Sequence, residues 1–436
     1  MNKKLKIVWL CHFSNKELRD ILPLSKNVKY SDYAPWISSL LKEFEKSNDI
    51  ELHVIIPHAG LKKLTYTFSK NGIFYYVYKP DLPFIHKQWP LFFPIHKWTK
   101  FIKNRILIKY FINKIKPDLI NLHGAECSHF SISVLDIKKI PIYVCIQGIY
   151  SNPLRFNNFV KPDKLRIKVE KQIHEKCNYF GIFSPFFEDL IRKDNKNPIF
   201  LKQSYVLPTK LPENINYLEK KYDFVFFGWV SEVKGIDKVI EAVSLISKQK
   251  KDVSLLIIGN ATNEYLSFLK CKINELGLEE NITFVGHLAT ITEVYELVTS
   301  AKVSVVSSKF DNLPSTILES IFLGLPVVAT SVGGIPYLNK DGETILLSKY
   351  GDTEELAYNM KRLLDDPELG QTLAKKCKEF IFNEFGGEIT VRRYVSQYLA
   401  IIDNFKLGIQ IPIELRFNKS LYENSSKQRN SFEGSN

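Results

Sequence analysis

The sequence predicts an α/β protein built from two doubly wound parallel sheets, and three observations support that prediction. The chain has 436 residues, which is enough for two or three domains of about 150 residues each. Short apolar runs alternate with segments of helical periodicity, which is typical of parallel strands that helices cover on both faces. The alternation stops at a polar connection near residues 207–221 and then restarts, so it forms two successive series.

Apolar runs mark the expected strands of both series. In the first series they are 6–11, 52–56, 73–78, 119–122, 140–146 and 179–183, with helical segments at 36–45 and 95–116. In the second series they are 224–227, 254–258, 282–285, 303–306 and 327–330. One face of the helix after residue 227 is marked by Ile236, Val239, Ile240, Val243 and Ile246.

The composition limits the classes of partner and the cellular compartment that are expected for the protein. The chain carries 60 Lys plus Arg against 47 Asp plus Glu, a formal charge of +13, which favours nucleic acid, an acidic membrane or phosphorylated substrates. Six dispersed cysteines indicate reduced, buried thiols rather than disulfides. No apolar run reaches the roughly 18 residues of a transmembrane helix, so a cytoplasmic protein, at most peripheral to a membrane, is expected.

Residues 307–336 carry the most informative chemistry. A strand is expected to end near residue 307, and Asp311 or Asn312 can cap a helix that has Pro314 in its first turn. Glu319 then lies in that helix. Free N–H groups at a helix N-terminus suit phosphate oxygens, and carboxylates accept hydrogen bonds from sugar hydroxyls. These residues favour a sugar-nucleotide site, while a simple N-cap and a solvated glutamate remain the alternative.

Two glycine-containing segments add to this interpretation. Residues 228–235 follow an expected strand and open a helix, which places Lys234 at the carboxyl edge of the sheet. Ligands of doubly wound sheets bind at that edge. Gly333 and Gly334 follow another strand, and their lack of a side chain would let the backbone approach a ligand closely.

The second half of the chain resembles glycosyltransferase family 4, a group of retaining enzymes with the two-domain GT-B fold. The resemblance covers most of residues 222–400 and is carried by VFFGWVSEVKGIDKVIEA, LLIIGN, ITFVGHL and the stretch 311–334. The family's Glu-x7-Glu motif is present as Asp-x7-Glu, from Asp311 to Glu319.

The resemblance implies two Rossmann-like domains facing a central cleft. Residues 1–206 would bind the acceptor and residues 207–387 the sugar nucleotide. A helix at 388–405 would return to the first domain, and 406–436 would form a tail that is disordered from Lys419 onward.

The resemblance also implies a role for each residue of the site. Asp311 would face the donor-sugar hydroxyls and Glu319 the ribose, while Gly286 and His287 would lie near the base. The remaining contacts to sugar and diphosphate would come from Gly228, Lys234, Asn312, Leu313, Pro314 and Ser315. Trp229 stands where the family has an arginine that contacts the diphosphate.

Candidate residues in the first half follow predicted strands. A lone histidine at a strand end is more often structural than catalytic, but the resemblance implies that His123 binds the donor sugar through a hydroxyl. Cys127 and His129 lie nearby in sequence without the spacing of a zinc site, so no metal is predicted. Asp32 and Gln147 are predicted on the acceptor side, with helix capping as the alternative for Asp32.

The segment Phe84–Lys116 contains eight Lys or Arg and no Asp or Glu, and aromatic residues are interleaved with them. Such a segment could lie on an anionic membrane, with aromatic rings at the interface. The alternative is a helix that packs on the sheet and exposes its lysines to water. Nucleic acid is disfavoured as a partner because no nucleic-acid-binding motif accompanies the charge.

The predicted function is that of a retaining glycosyltransferase. It would use a UDP- or GDP-sugar as substrate, with no metal or other cofactor, and a glycan or polyprenyl-linked acceptor in bacterial cell-surface polysaccharide biosynthesis. Because Trp229 replaces an expected cation, a non-catalytic subunit that only binds sugar nucleotides remains an alternative. A sugar-nucleotide epimerase of GT-B fold is a further alternative.

Overall fold

A computed structural model describes residues 4–25, 33–80, 98–156, 161–204 and 214–422. The chain divides into two compact units. The first comprises residues 1–156, 161–207 and 387–418, and the second comprises 157–160, 208–386 and 419–436.

The first unit is built on an eight-stranded sheet of order β3-β4-β2-β1-β5-β6-β7-β8. Its strands are β1 (Leu5–Leu10), β2 (Ile50–Pro57), β3 (Thr65–Lys70), β4 (Ile73–Tyr78), β5 (Leu119–His123), β6 (Ile142–Cys145), β7 (Tyr179–Ile182) and β8 (Ile199–Lys202). All neighbouring pairs are parallel except β3 with β4. Every residue of β5, β6 and β7 is buried, as expected for strands covered on both faces.

The antiparallel pair β3–β4 corrects the prediction of an all-parallel sheet. Asn71 and Gly72 join the two strands with φ of 50° and 79°, the combination that a two-residue hairpin turn requires. No residue of β3 is fully buried, so the strand lacks the apolar run that marked its neighbours. Strand β8 was not predicted either.

Helices cover both faces of this sheet. They are α1 (Lys16–Arg19), α2 (Pro35–Phe44), α3 (Ile102–Ile115), α4 (Ser128–Ser131), α5 (Lys164–Lys176) and α6 (Pro185–Asp194). A helix from the far end of the chain, Gly387–Leu407, also belongs to this unit. Its residues Tyr398 and Ile401 are fully buried in the core that contains Ile7 and Trp9.

The second unit has a six-stranded, fully parallel sheet of order β11-β10-β9-β12-β13-β14. Its strands are β9 (Tyr222–Phe227), β10 (Leu255–Ile258), β11 (Ile282–Gly286), β12 (Ala301–Val306), β13 (Val327–Thr330) and β14 (Leu346–Ser348). Its helices are α7 (Ile236–Ser247), α8 (Asn263–Glu275), α9 (Ile291–Thr299), α10 (Ser315–Phe322), α11 (Thr353–Asp365) and α12 (Pro367–Phe385), so the C-terminal helix 387–407 is α13. The five apolar residues predicted to form one face of α7 are all buried.

Two smaller expectations need correction. Disorder was expected from Lys419 onward, but within the described residues 419–422 Tyr422 is buried and its ring centroid lies 5.0 Å from that of Tyr337; residues 423–436 lie outside the described part. An aromatic ring in a polar segment can therefore hold it against the second unit. Cys271 is exposed on α8, whereas all six thiols were expected to be buried.

The predicted α/β class with two Rossmann-like parallel-sheet domains is confirmed. Over the described ranges, none of the helices combines the length and the hydropathy needed to cross a bilayer.

Candidate functional site

The second sheet reverses its strand order between β9 and β12, which is the point where doubly wound sheets bind ligands. The loop after β9 and the loop after β12 lie against each other there. The Lys309 N–H donates to the Val233 carbonyl at 2.8 Å. The Ser307 hydroxyl is 3.0 Å from the Lys234 carbonyl oxygen and 2.7 Å from that of Gly235. Backbone contacts therefore set the position of Lys234 relative to the β12 loop.

Two glycines make this packing possible. Gly235 has φ of +67°, and a Cβ added there would lie 2.0 Å from the Ser307 carbonyl oxygen. Gly333 has φ of +59°, and its Cβ would lie 1.6 Å from the carbonyl oxygen of Asp311. Gly333 therefore permits a close approach to the β12 loop, in addition to the ligand approach that the sequence predicts. The Gly334 N–H donates to the Asn312 carbonyl at 2.6 Å and fixes that contact.

Lys234 and Asp311 form an ion pair at the centre of this edge. Two further groups donate hydrogen bonds to the Asp311 carboxylate: the Ser308 hydroxyl to Oδ2 at 3.2 Å and the Asn312 N–H to Oδ1 at 2.9 Å. Both charged side chains keep some exposure to solvent, 33% for the lysine and 17% for the aspartate. The ammonium group has three N–H donors, so it can bind an anionic ligand while it holds Asp311.

Helix α10 begins at Ser315, and Pro314 occupies its N-cap position without a side-chain cap. The expected capping by Asp311 or Asn312 is therefore wrong, because the Asp311 carboxylate binds Lys234 instead. The first N–H groups of a helix have no intrahelical acceptor, and here no side chain caps them, which leaves this helix end suited to phosphate oxygens. Leu313 and Pro314 are buried, as is Asn312, whereas Ser315 is exposed.

Glu319 lies one turn into α10 and is only partly accessible to solvent. Burial raises the pKa of its carboxyl above the ordinary value, and a hydrogen bond with Ser315 opposes that rise. The alternative of a fully solvated helix residue is wrong. A partly desolvated carboxylate gains more from a ligand hydroxyl than an exposed one does.

The remaining predicted residues of this half follow β9 and β11. Gly228 is exposed with φ of +127°, and Trp229 is 57% exposed. Gly286 ends β11 and accepts a hydrogen bond from the Gly259 N–H at 2.8 Å, while His287 is exposed. Sequence reasoning missed Lys309, a second lysine whose backbone joins the two loops; its position just after a strand was the available signal.

In the first unit, His123 ends β5 and its side chain is buried. Burial lowers its pKa to about 3, so the ring is neutral at physiological pH. Nε2 lies 3.1 Å from Asn121 Nδ2, which can only donate, so the ring proton is assigned to Nδ1. Nδ1 has no partner among the described residues, and it can donate to a ligand but cannot accept a proton.

A buried hydrogen-bond network holds His123 in place. Asn121 Nδ2 donates to the Tyr398 hydroxyl at 2.8 Å, and Trp9 Nε1 donates to the same oxygen at 2.9 Å. The Trp9 ring also lies against the histidine, with centroids 4.7 Å apart. The C-terminal helix α13 therefore positions a residue at the end of β5.

Other polar residues gather at the same carboxyl edge. The His12 ring centroid is 4.6 Å from Tyr33 and 5.2 Å from His129, and burial lowers the pKa values of the two histidines to about 4 and about 3. Gln147 follows β6 at this edge and is partly exposed. Asp32 lies outside the described residues. No group of three His, Cys, Asp or Glu side chains in the described part of the chain could hold a metal ion.

Glu126 is the residue of this edge that sequence reasoning passed over. Burial raises the pKa of its carboxyl to about 7, and Oε2 has no partner among the described residues. Two arginines, Arg155 and Arg166, oppose that rise by their charge. The only available signal in the sequence was an acidic residue three positions after a strand-ending histidine.

A comparison with protein families matches residues 209–380 to the model described as "Glycosyl transferases group 1". The matched range contains the whole second sheet and the loops around Lys234 and Asp311.

Among proteins of known description, the chain is 26% identical over 200 residues to N-acetyl-alpha-D-glucosaminyl L-malate synthase of Bacillus anthracis, covering 46% of this chain and 51% of that protein. It is 25% identical over 191 residues to capsular polysaccharide biosynthesis glycosyltransferase CapM of Staphylococcus aureus, covering 42% and 49%. The chain thus spans about half the length of the curated relatives it matches.

Solved structures extend the likeness to both units. Sucrose-phosphate synthase from Thermosynechococcus elongatus has a TM-score of 0.66 at 17% identity, over 91% of this chain and 98% of that one. Anabaena Alr3699/HepE in complex with UDP and glucose has a TM-score of 0.60 at 16% identity, over 91% and 99%. At these identities the likeness establishes the fold, which is that of the GT-B glycosyltransferases.

Proposed function

We propose that this protein is a glycosyltransferase that moves a sugar from a nucleotide-sugar donor to a hydroxyl group of an acceptor. The observation that carries the proposal is the Lys234–Asp311 ion pair beside the N-terminus of α10, at the strand-order reversal of the second sheet. The match of residues 209–380 to the glycosyl transferases group 1 model supports it.

The donor would bind through its diphosphate. The Lys234 ammonium and the first N–H groups of α10 together neutralise phosphate oxygens, and the leaving diphosphate is the group on which negative charge grows. Lys309 brings a further positive charge to the loop, which can offset the absence of an arginine at position 229. The complex of Anabaena Alr3699/HepE with UDP and glucose supports a uridine nucleotide as the first donor to test.

The hydroxyl groups of the sugar nucleotide would be held by hydrogen bonds from both kinds of side chain, carboxylates that accept and an imidazole that donates. Asp311 would accept from the sugar and the partly buried Glu319 from the ribose, while Gly286 and His287 would contact the base. His123, neutral with its proton on Nδ1, would donate to a sugar hydroxyl. Its role is therefore orientation, since Nδ1–H cannot remove a proton from the acceptor.

The reaction we propose is retaining and independent of metal. The leaving diphosphate would depart under stabilisation by Lys234 and the helix end, and its oxygen would take the proton of the incoming hydroxyl on the same face. No side-chain base is needed in that scheme, and no described residue near Lys234 is assigned as one.

The acceptor would be a glycan or a polyprenyl-linked saccharide of bacterial cell-surface polysaccharide assembly. The similarity to the capsular polysaccharide glycosyltransferase CapM supports this class. A lipid-linked acceptor would require the enzyme to work at the cytoplasmic face of the membrane.

One face of α3 suits an anionic membrane. Ile102, Ile106 and Tyr110 follow one another at intervals of four residues along α3, and each side chain is at least 52% exposed. Trp98, which precedes the helix, is 87% exposed. Lys100, Lys109, Lys114 and Lys116 are also exposed along the same segment. An exposed apolar stripe with flanking lysines is the pattern of a helix that lies in a membrane interface. The predicted segment began at residue 84, but residues 84–97 lie outside the described part.

Vesicle sedimentation tests the membrane proposal. We expect the double variant Ile106→Ser/Tyr110→Ser to sediment less than wild type with vesicles that contain anionic lipid, because most of the exposed apolar stripe on α3 is lost. The matched control is Tyr358→Ser/Ile413→Ser, which replaces one exposed tyrosine and one exposed isoleucine elsewhere. Binding that ignores lipid charge, or equal binding of both double variants, would contradict the proposal.

Trp229 favours a second candidate function, a subunit that binds sugar nucleotides without turnover. It is 57% exposed at the position where the resembling family has an arginine on the diphosphate. A binding subunit would show a nucleotide-sugar thermal shift but no nucleotide release with any acceptor. An epimerase, the other alternative, would convert the donor sugar with no acceptor present.

The deciding experiment is a panel of UDP- and GDP-sugars, scored by nucleotide release and by the anomeric configuration of the product. We expect release with at least one donor, retention of configuration, and activity in the presence of a chelator. Asp311→Ala should abolish release, whereas Asp365→Ala, which removes the partner of Lys361 on α11, should not. Donor binding without release from the whole panel would favour the non-catalytic subunit.

A further inference from the structure

Two arginines of the first unit share one aromatic ring. Arg155 ends a short 3-10 turn after β6, and Arg166 lies in the first turn of α5. Their Cζ atoms are 5.4 and 4.0 Å from the centroid of the Tyr150 ring. Within the described ranges, neither guanidinium forms an ion pair with a carboxylate, so both charges remain available to a ligand.

Hydrogen bonds hold the described residues on either side of the 157–160 segment, which lies outside the described part. Glu170 is fully buried, and its two carboxylate oxygens accept from the N–H groups of Tyr150 at 2.7 Å and Ser151 at 2.6 Å. The Tyr150 hydroxyl accepts from the Asp163 N–H at 3.1 Å. Because these hydrogen bonds already fix Tyr150 and Ser151, less conformational entropy is lost there when the arginines bind an anion.

Glu126 interacts with both arginines. Arg166 Nε donates to its backbone carbonyl at 2.5 Å, and both guanidinium charges are near enough to act on the carboxyl. Burial nevertheless outweighs the two arginine charges and raises the pKa of the Glu126 carboxyl, and the charge of Glu170 raises it further. At neutral pH the carboxyl therefore keeps a substantial protonated fraction, and a protonated carboxyl can donate a hydrogen bond.

We propose that Arg155, Arg166 and Glu126 bind a phosphate group carried by the acceptor. The proposal rests on the transferase function proposed above, and it specifies the acceptor of that reaction. Two guanidinium charges match the two negative charges of a phosphate monoester, and planar guanidinium groups bind phosphate oxygens well. The protonated Glu126 would donate to a third oxygen.

The pH dependence of this site follows from the groups that face Glu126. They are Tyr33, Cys127, Glu170, Arg155 and Arg166. The pKa values of Tyr33 and Cys127 are raised by burial and arginine stays protonated, so Tyr33, Cys127, Arg155 and Arg166 do not change charge near neutrality. Ionisation of Glu126 places a negative charge beside the bound anion. Anion affinity should therefore fall as pH rises through about 7.

Sulfate is a suitable first probe because it is a tetrahedral dianion that does not titrate near neutral pH. In calorimetric titrations of the full chain, we expect Arg155→Gln/Arg166→Gln to weaken sulfate binding about tenfold or more, with smaller losses for each single variant. The Glu126→Gln variant should bind sulfate with an affinity that no longer depends on pH, because the amide does not ionise and donates a hydrogen bond at every pH.

Arg192→Gln is the matched control. Arg192 also stands over an aromatic ring, with its Cζ 4.9 Å from the centroid of Phe200, but it pairs with Glu188 on α6. Its loss should leave sulfate binding unchanged. The idea is overturned if wild type binds no sulfate, if the arginine variants bind as wild type does, or if Arg192→Gln weakens binding equally.

The donor site must be separated from this one, because Lys234 can also hold an anion. Sulfate binding that disappears in Lys234→Met and survives in the double arginine variant would overturn the proposal. UDP titrations of the same variants report on the donor site alone. Failure of UDP and all sugar nucleotides to bind would reject the proposed function while leaving the sulfate result standing, so the two failures are distinguishable.

Two further ligands identify where the phosphate comes from. Glycerol 3-phosphate that competes with sulfate would indicate a water-soluble phosphate ester. Competition by vesicles containing phosphatidic acid, in a variant that also carries Ile106→Ser/Tyr110→Ser, would indicate a lipid phosphate. Lack of competition by either ligand would contradict a phosphate-binding site.

Discussion

The carboxyl edges of the two sheets are built in different ways. The edge of the second sheet is formed by loops 228–235 and 307–314, with a lysine–aspartate ion pair and two glycines that allow close backbone packing. The edge of the first sheet carries neutral histidines, a half-buried carboxyl and two arginines from separate elements. The first kind of site depends on short sequence segments and is recognisable from sequence. The second kind depends on which side chains the fold buries.

The largest effect is expected at the second edge, from Lys234→Met. Loss of a cation that stabilises a leaving diphosphate should lower kcat by about 100- to 1000-fold. Lys361→Met is the matched control, because Lys361 pairs with Asp365 on the surface of α11. Steady-state rates with the best donor measure the effect. If both variants kept the wild-type rate, the second edge would not be the donor site.

The second-largest effect is expected from a disturbance of the backbone packing at the same edge. Gly333→Ala combines a left-handed φ with a collision at the Asp311 carbonyl, and we expect it to lower the free energy of unfolding by about 3 kcal/mol. Gly324 also has a positive φ, +81°, but a Cβ there would meet nothing within 4 Å. Gly324→Ala should therefore cost only about 1 kcal/mol. Urea unfolding compares them, and equal losses would show that the contact with Asp311 does not matter.

The half-buried carboxyl of the first edge predicts a pH-dependent stability. The pKa of Glu126 is raised in the folded state, to about 7, so its contribution to stability is full below about pH 4.5 and is lost as pH rises through about 7. When the pH is raised from about 5 to about 8, the free energy of unfolding of wild type should fall by on the order of 2 kcal/mol more than that of Glu126→Gln.

Denaturant unfolding at the two pH values measures this difference. The histidines of this edge have lowered pKa values and act in the opposite direction, but they are present in both proteins and cancel. The control is Glu388→Gln at the start of α13, where the glutamate is exposed and pairs with Arg392. Parallel pH profiles for wild type and Glu126→Gln would refute a protonated Glu126.

The smallest effect is expected in the network beneath His123. Tyr398→Phe removes the oxygen that accepts from Trp9 Nε1 and Asn121 Nδ2, and it leaves two buried donors without that partner. We expect a loss of about 1–2 kcal/mol in the free energy of unfolding. Tyr358→Phe, at an exposed tyrosine of α11, should change stability by less than about 0.5 kcal/mol. Equal changes in the free energy of unfolding for both variants would show that the network does not stabilise the first edge.

Much of the fold and of the second edge could be predicted from the sequence. Strands β4 and β13 have the predicted bounds. Strand β13 is buried on both faces and is therefore mostly apolar, while β4 is aromatic and aliphatic throughout although Phe74 is exposed. Lys234 falls at the predicted sheet edge for the same reason. Strand β3 was missed because it lies at an edge of the sheet, is half-exposed and therefore needs no apolar run.

By itself, the sequence determined two parallel-sheet domains and the residues of one sheet edge, because periodicity and short-range spacing carry that information. Only the tertiary structure decided that Asp311 pairs with Lys234 rather than capping α10. Only the tertiary structure decided, too, that Glu126 meets Arg155 and Arg166. These contacts join residues far apart in the chain, and desolvation, which sets their charge, depends on everything packed around them.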